Sequence, residues 1–106
     1  MTGQELLPAG QHRRVLVIHN PTAGWRRRRR FERIVSALIA EGVDVDVRPT
    51  TRRGDAEAFA MSADPEKLDA IAVAGGDGTI NEVVNGLGDK KLPLAVIPLG
   101  TANVLA

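Results

Sequence analysis

The chain has 106 residues, of which 43% are apolar and 25% charged, and its formal net charge is +1. That length accommodates one domain or less, with a thin core, and the small net charge exerts no global pull towards nucleic acid or a membrane. The absence of cysteine excludes disulfides and thiolate metal sites, and two histidines alone cannot build a zinc site. No apolar run reaches the roughly 18 residues that span a bilayer, and Met1 to Gln11 has no apolar signal core. The cytoplasm is therefore the expected compartment. Residues 1–11 read as a flexible lead-in, and 12–106 as the folded unit.

Val15-Leu16-Val17-Ile18 is a β-branched apolar run that ends at Asn20-Pro21, as a buried strand running into a turn does. Arg26 to Arg30 open a helix, and Phe31, Ile34, Val35, Leu38 and Ile39 fall on one face of it, with Gly42 as the left-handed residue that closes it. Val43, Val45 and Val47 alternate with Asp44, Asp46 and Arg48, which predicts an edge strand with one face in water. Ala56, Phe59 and Ala60 have helical spacing within a short helix over Gly54 to Ala63, before Asp64-Pro65. Ala70 to Ala74 is continuously apolar, a central strand. Thr79 to Leu87 predicts a third helix with Ile80, Val83, Val84 and Leu87 inward. Leu94 to Ile97 reads as a further central strand, and Thr101 to Ala106 as the start of another helix.

The order β-α-β-α-β-α-β argues an α/β fold, a parallel sheet with helices on both faces. Right-handed crossovers with the alternating strand at the edge favour the strand order 2-1-3-4. That order reverses direction between the first and third strands, and ligands of such sheets bind at the reversal, beyond the carboxyl ends of the strands.

The segments that reach this point are Asn20-Pro21-Thr22-Ala23-Gly24, Gly75-Gly76-Asp77-Gly78-Thr79 followed by Ile80-Asn81-Glu82, and Pro98-Leu99-Gly100-Thr101-Ala102-Asn103. Their glycines and small polar residues suit phosphate: backbone N–H groups can approach oxygens closely, and a helix beginning at once adds unpaired amides and a positive dipole end. Asp77 is the odd member, because a carboxylate repels phosphate unless a cation intervenes. Mg²⁺ binds through one or two carboxylates plus phosphate oxygens. A helix cap is the alternative for Asp77; two further phosphate-type loops at the same edge favour the metal.

These residues are identified as a resemblance. Gly75 to Thr79 resembles the signature shared by NAD kinases, 6-phosphofructokinases and the diacylglycerol and sphingosine kinases. Asn20 to Gly24 and Leu99 to Asn103 resemble the lipid-kinase branch, and the bacterial diacylglycerol kinase-like proteins most of all, from Arg14 onward. The resemblance implies a three-layer Rossmann-like domain that is the first, nucleotide-binding part of a two-domain lipid kinase. It implies ATP as substrate with Mg²⁺, and a lipid hydroxyl such as that of diacylglycerol as acceptor. It also implies nucleotide contacts from Asn20, Pro21, Thr22, Ala23, Gly24, Thr50, Gly75, Gly76, Asp77, Gly78, Thr79, Ile80, Asn81, Glu82, Gly100, Thr101 and Asn103, with Asp77 as the catalytic and metal-binding residue. Thr50 precedes Gly54-Asp55-Ala56 as a family threonine does; its plain alternative is an end-of-strand hydroxyl. Asn81 and Glu82, placed in the first turn of the third helix, have ordinary capping as theirs. Two positions depart from the family pattern: Ala23 replaces a small hydroxyl, and Val104 stands where an aspartate often follows the asparagine.

The proton acceptor and acyl pocket belong to a later, β-rich part in the similar kinases. The 106 residues are therefore expected to lack lipid kinase activity by themselves and to self-associate through the edge of the strand at Leu94 to Ile97. An NAD kinase-like phosphotransferase and a non-catalytic nucleotide-binding module are the competing readings. The arginine run reads first as a solvated surface, and second as a patch attracting ATP phosphates or an anionic membrane at the inner surface of the cell. Nucleic acid is not expected, because no aromatic platform accompanies the run. Trp25 is expected to pack on its loop, and His12 and His19 to be ordinary histidines.

Overall fold

The computed structural model describes residues 13–21 and 24–99. The lead-in, His12, Thr22, Ala23, Gly100, Thr101, Asn103, and the element expected from Thr101 to Ala106 lie outside them. Chain order is β1 (Arg14–His19), α1 (Trp25–Ala40), β2 (Asp44–Pro49), α2 (Asp55–Ser62), β3 (Ala70–Ala74), α3 (Asp77–Leu87) and β4 (Leu94–Val96). All strand pairs are parallel and the order is β2-β1-β3-β4, as the alternating pattern and right-handed crossovers require.

Alternate residues of the central strands feed two cores. Leu16, Ile18, Ile71 and Val73 pack with Ala56, Ala60, Val83 and Leu87 beneath α2 and α3. Val17, Ala72 and Ala74 pack with Phe31 and Ile97 beneath α1. Val17, Ile18, Ile71 and Val73 have no exposed surface at all, and each contributes about 1.5–3 kcal/mol of apolar burial. The end of α1 follows its sequence signal: Gly42 takes φ 89°, its N–H donates to the Ile39 carbonyl and that of Val43 to the Leu38 carbonyl, the paired bonds of a Schellman cap.

Three expectations need correction. Ile39 and Val84, read as inward, are 57% and 49% exposed, because each sits at the margin of its helix's apolar stripe and the sheet covers only the centre. β4 stands last in the described sheet, as the order 2-1-3-4 requires: it pairs only with β3, and Val96 is 51% exposed. The third helix begins at Asp77, with Gly76 as its N-cap, so Asn81 and Glu82 occupy its second turn rather than its first. Trp25 does not pack on its loop; it opens α1 with 63% of its surface exposed.

α2 is short, and its two ends are closed by side chains from α3 and the segment after it. The Glu82 carboxylate accepts from the N–H groups of Gly54 (3.0 Å) and Glu57 (3.4 Å). The Lys90 ammonium donates to the carbonyls of Ala60 and Met61. A negative group at the first turn and a positive one at the last both suit the helix dipole. The close approach of the two helices depends on Gly86, where an added Cβ would lie 2.3 Å from the Glu57 carbonyl oxygen and 2.7 Å from the Ala60 Cβ.

Candidate functional site

The backbone ladder continues past the strand ends and carries two loop residues to the crevice. The Asn20 N–H donates to the Ala74 carbonyl (2.8 Å), and the Thr50 N–H to the His19 carbonyl (2.8 Å). Asn20 then reaches across: its side-chain amide donates to the Thr79 hydroxyl at 3.2 Å. Thr79 is the buried polar residue of the described core, 8% exposed. That bond ties the loop after β1 to the start of α3, two segments that are 59 residues apart.

On either side of it lies a cavity. The larger, about 620 Å³, is lined by Asn20, Pro21, Gly78, Thr79 and Glu82 together with the strip Thr50 to Arg53 and Ala56. The smaller, about 350 Å³, is lined by Asn20, Arg27, Leu99 and the glycine loop at Gly75, Gly76, Gly78 and Thr79. The glycines of that loop serve different ends. A Cβ at Gly75 would stand 2.9 Å from both Cβ and Oγ1 of Thr79, so this position is fixed by packing. A Cβ at Gly76 or Gly78 would meet no protein atom within 4 Å; it would take up cavity space. The smaller cavity thus has a floor of backbone next to the amino end of an 11-residue helix, a setting that favours an anion.

Among the residues expected at the site, Asn20, Pro21, Thr50, Gly75, Gly76, Gly78, Thr79 and Glu82 line one or both cavities. Gly24 is the N-cap of α1. Ile80 packs against the core, and Asn81 is exposed and lines neither cavity. Glu82 lines the larger cavity, yet its carboxylate is already engaged in capping α2.

Asp77 differs from Glu82. It is exposed in the first turn of α3, and its carboxylate accepts no hydrogen bond from any described residue, so the capping alternative finds no support. Among the described residues no three His, Cys, Asp or Glu side chains gather as a metal cluster. Asp77 lines neither cavity; a single unengaged carboxylate beside a glycine-rich loop is nonetheless the donor set Mg²⁺ uses when phosphate oxygens and water complete its shell.

The structure adds residues that the motifs did not indicate. Arg27 lines the glycine-loop cavity, and Thr51, Arg52 and Arg53 line the larger one. Asp55 shapes that second strip: its carboxylate accepts from the N–H and hydroxyl of Thr51 (2.8 and 2.9 Å) and from the Arg52 N–H (3.1 Å). Those bonds, the Thr51 N–H foremost and its hydroxyl next, hold the Asp55 carboxyl below the usual range. The signal for this loop was topological, since it too follows the carboxyl end of a strand beside the reversal point. His19 stacks on Phe31, with ring centroids 3.7 Å apart and planes 10° from parallel. Burial, and after it the charge of Arg28, hold its imidazole below the usual value of 6.5.

The profile of the diacylglycerol kinase catalytic domain matches residues 14–106. The chain belongs to the diacylglycerol kinase catalytic domain family. It is 41% identical over 100 residues to the diacylglycerol kinase of Bacillus subtilis (strain 168), covering 89% of this chain and 32% of that one. To a Staphylococcus aureus (strain bovine RF122 / ET3-1) diacylglycerol kinase it is 41% identical over 97 residues, covering 86% and 30%. A crystal structure of a diacylglycerol kinase from Bacillus anthracis str. Sterne superposes with a TM-score of 0.68 at 34% identity, covering 88% of this chain and 35% of that one. The chain of this family member therefore spans about a third of the length of the relatives it matches. None of its described helices is long and apolar enough to cross a membrane.

Proposed function

We propose that this chain binds ATP and forms the nucleotide side of a lipid kinase that transfers the γ-phosphoryl group to the hydroxyl of a lipid such as diacylglycerol. The observation that carries the reading is the Asn20–Thr79 bond with a cavity on each side. It divides one crevice into a glycine-floored lobe for the triphosphate and a wider lobe, walled by Thr50 and Glu82, for the nucleoside. Family membership supports the same assignment.

Phosphoryl transfer is mostly positioning and charge neutralisation. The lipid oxygen forms a bond to the γ-phosphorus, the bond to the bridging oxygen breaks, ADP leaves, and the hydroxyl proton passes to a base. The backbone amides of Gly76 to Thr79 would bind the phosphates, and Arg27, which lines the same cavity, would add a positive charge. Asp77 would hold Mg²⁺ together with phosphate oxygens and water, and the ion would neutralise phosphate charge. Asp77 is the metal partner in this reading, not the base.

The test is titration of the 106 residues with ATP, together with an assay of labelled phosphate transfer to diacylglycerol in mixed micelles by the whole kinase, the 106 residues alone being expected to give none. Thr79→Val, which keeps the shape and removes the hydroxyl, should weaken ATP binding about tenfold, the equivalent of about 1.4 kcal/mol. A protein that folds and shows no ATP binding would overturn the reading.

A further inference from the structure

We propose that Asp55 is a positioning residue for the nucleoside: from outside the larger cavity it fixes the strip Thr50 to Arg53, and through that strip it sets the affinity for the nucleoside part of ATP. The proposal deepens the kinase reading, and rests on it for the identity of the ligand.

The strip joins the end of β2 at Pro49 to the start of α2 at Asp55. Each of its residues lines the larger cavity, whereas Asp55 itself does not. Apolar burial does little to hold it, because Thr51, Arg52, Arg53 and Gly54 are exposed. A short loop of that kind samples many shapes unless its polar groups are tied down. Here they are tied at both ends. The Thr50 N–H donates to the His19 carbonyl, and the Gly54 N–H to the Glu82 carboxylate. Between these anchors one atom, Oδ2 of Asp55, accepts from the Thr51 N–H at 2.8 Å, the Thr51 hydroxyl at 2.9 Å and the Arg52 N–H at 3.1 Å. In return the Asp55 N–H donates to the Arg52 carbonyl at 3.2 Å, so the turn is closed in both directions.

Helix capping does not account for this arrangement. The amides of Gly54 and Glu57 at the start of α2 are satisfied by Glu82, and Glu57 already places a second acid in the first turn. The Asp55 side-chain bonds all run backwards, to the loop and not to the helix. Charge pairing does not account for it either. Arg52 meets Asp55 through its backbone N–H, and neither Arg52 nor Arg53 forms an ion pair with a described residue. What the carboxylate does is hold a wall in one shape. A wall already in its bound shape removes the ordering cost that a ligand otherwise meets on binding. A loosened strip would have to be ordered by the nucleoside, at a loss of affinity. The glycine-loop cavity does not include this strip, so the phosphates and the transfer step are left as they were.

The test compares Asp55→Ala with Asp55→Asn in the whole kinase. The carboxamide keeps an acceptor oxygen for the same three donors and loses the charge. Asp55→Ala should raise the KM for ATP about tenfold and change kcat less than about twofold, the signature of lost binding with the transfer step intact. Asp55→Asn should restore the KM to within about threefold of the parent, since acceptor and shape are kept. A merely structural role would reduce the folded fraction, which lowers apparent kcat and leaves KM where it was. Titration with ATP and with inorganic tripolyphosphate separates the two cavities: Asp55→Ala should weaken the first and leave the second unchanged. If Asp55→Ala does not fold, Thr51→Val removes the hydroxyl bond alone and should raise the KM about threefold, with Thr51→Ser matching the parent. An unchanged KM, equal losses in Asp55→Ala and Asp55→Asn, or an equal weakening of tripolyphosphate would each overturn the proposal. ATP titration of the unsubstituted protein reports on the kinase reading alone, so a failure of that reading is distinguishable from a failure at Asp55.

Discussion

On the α2–α3 side of the sheet, three charged groups have partners inside the fold. Glu82 closes the first turn of α2, Lys90 closes its last, and Asp55 gathers the amides of the loop that leads into it. On the α1 side and at the glycine loop, others do not. Asp77 accepts no hydrogen bond from a described residue, and Arg26 to Arg30 form no ion pair with one. Asp77 and Glu82 lie on one helix and would pass for equivalents in a motif. One carboxylate is consumed in holding two helices together, and the other accepts no hydrogen bond from a described residue. An engaged charge at a crevice reads as architecture, an unengaged one as a place where a ligand completes the structure.

This comparison can be broken at Asp77. Asp77→Asn in the active kinase should lower kcat at least about a hundredfold, or about 2.7 kcal/mol, while the melting temperature stays within about 2 °C. Near-normal turnover with a clearly lower melting temperature would place Asp77 with the architectural carboxylates.

Gly86→Ala probes the other region. The new methyl would meet the Glu57 carbonyl oxygen, and the resulting overpacking should cost about 1–3 kcal/mol, partly offset by the better helix propensity of alanine. A urea midpoint that is unchanged or raised would mean that α2 and α3 separate at little cost. Glu82→Ala should remove about 1–2 kcal/mol through the two lost caps. Denaturation would show this with and without ATP, and an effect confined to the ATP-bound protein would reassign Glu82 to the ligand.

The smallest effect is expected at His19, which is held below its usual value of 6.5 chiefly by burial and next by Arg28. As pH falls below that value, the unfolded chain takes up the proton before the folded one does, so stability present at neutral pH is lost towards acid. The melting temperature of the parent should therefore decline through this range more steeply than that of His19→Phe. Parallel profiles would show that the imidazole titrates without consequence.

The strand order was readable because β-branched runs, a period-two strand and helical spacings alternate in only one way that right-handed crossovers permit. The loops at the reversal were readable for the same reason. Individual positions were less so. Val84 and Val83 are identical in type and adjacent in sequence, yet one is 49% exposed and the other fully buried, a difference set by how wide a stripe the sheet covers. Leu94 to Val96 is apolar enough for a central strand and stands at an edge of the described sheet, since pattern records what a strand can bury and not what lies beside it.

What the sequence by itself determined is therefore the α/β order, the reversal point and the glycine-rich chemistry placed there, because periodicity and turn residues act locally. Only the tertiary structure decided that Glu82 is a cap, that Arg27 faces the glycine loop, and that Trp25 is left in the open with Arg26 and Arg29 beside it. Each of these depends on which side chain is spent on a neighbour distant in sequence, and a charge carries no mark of its partner until the chain has closed around it.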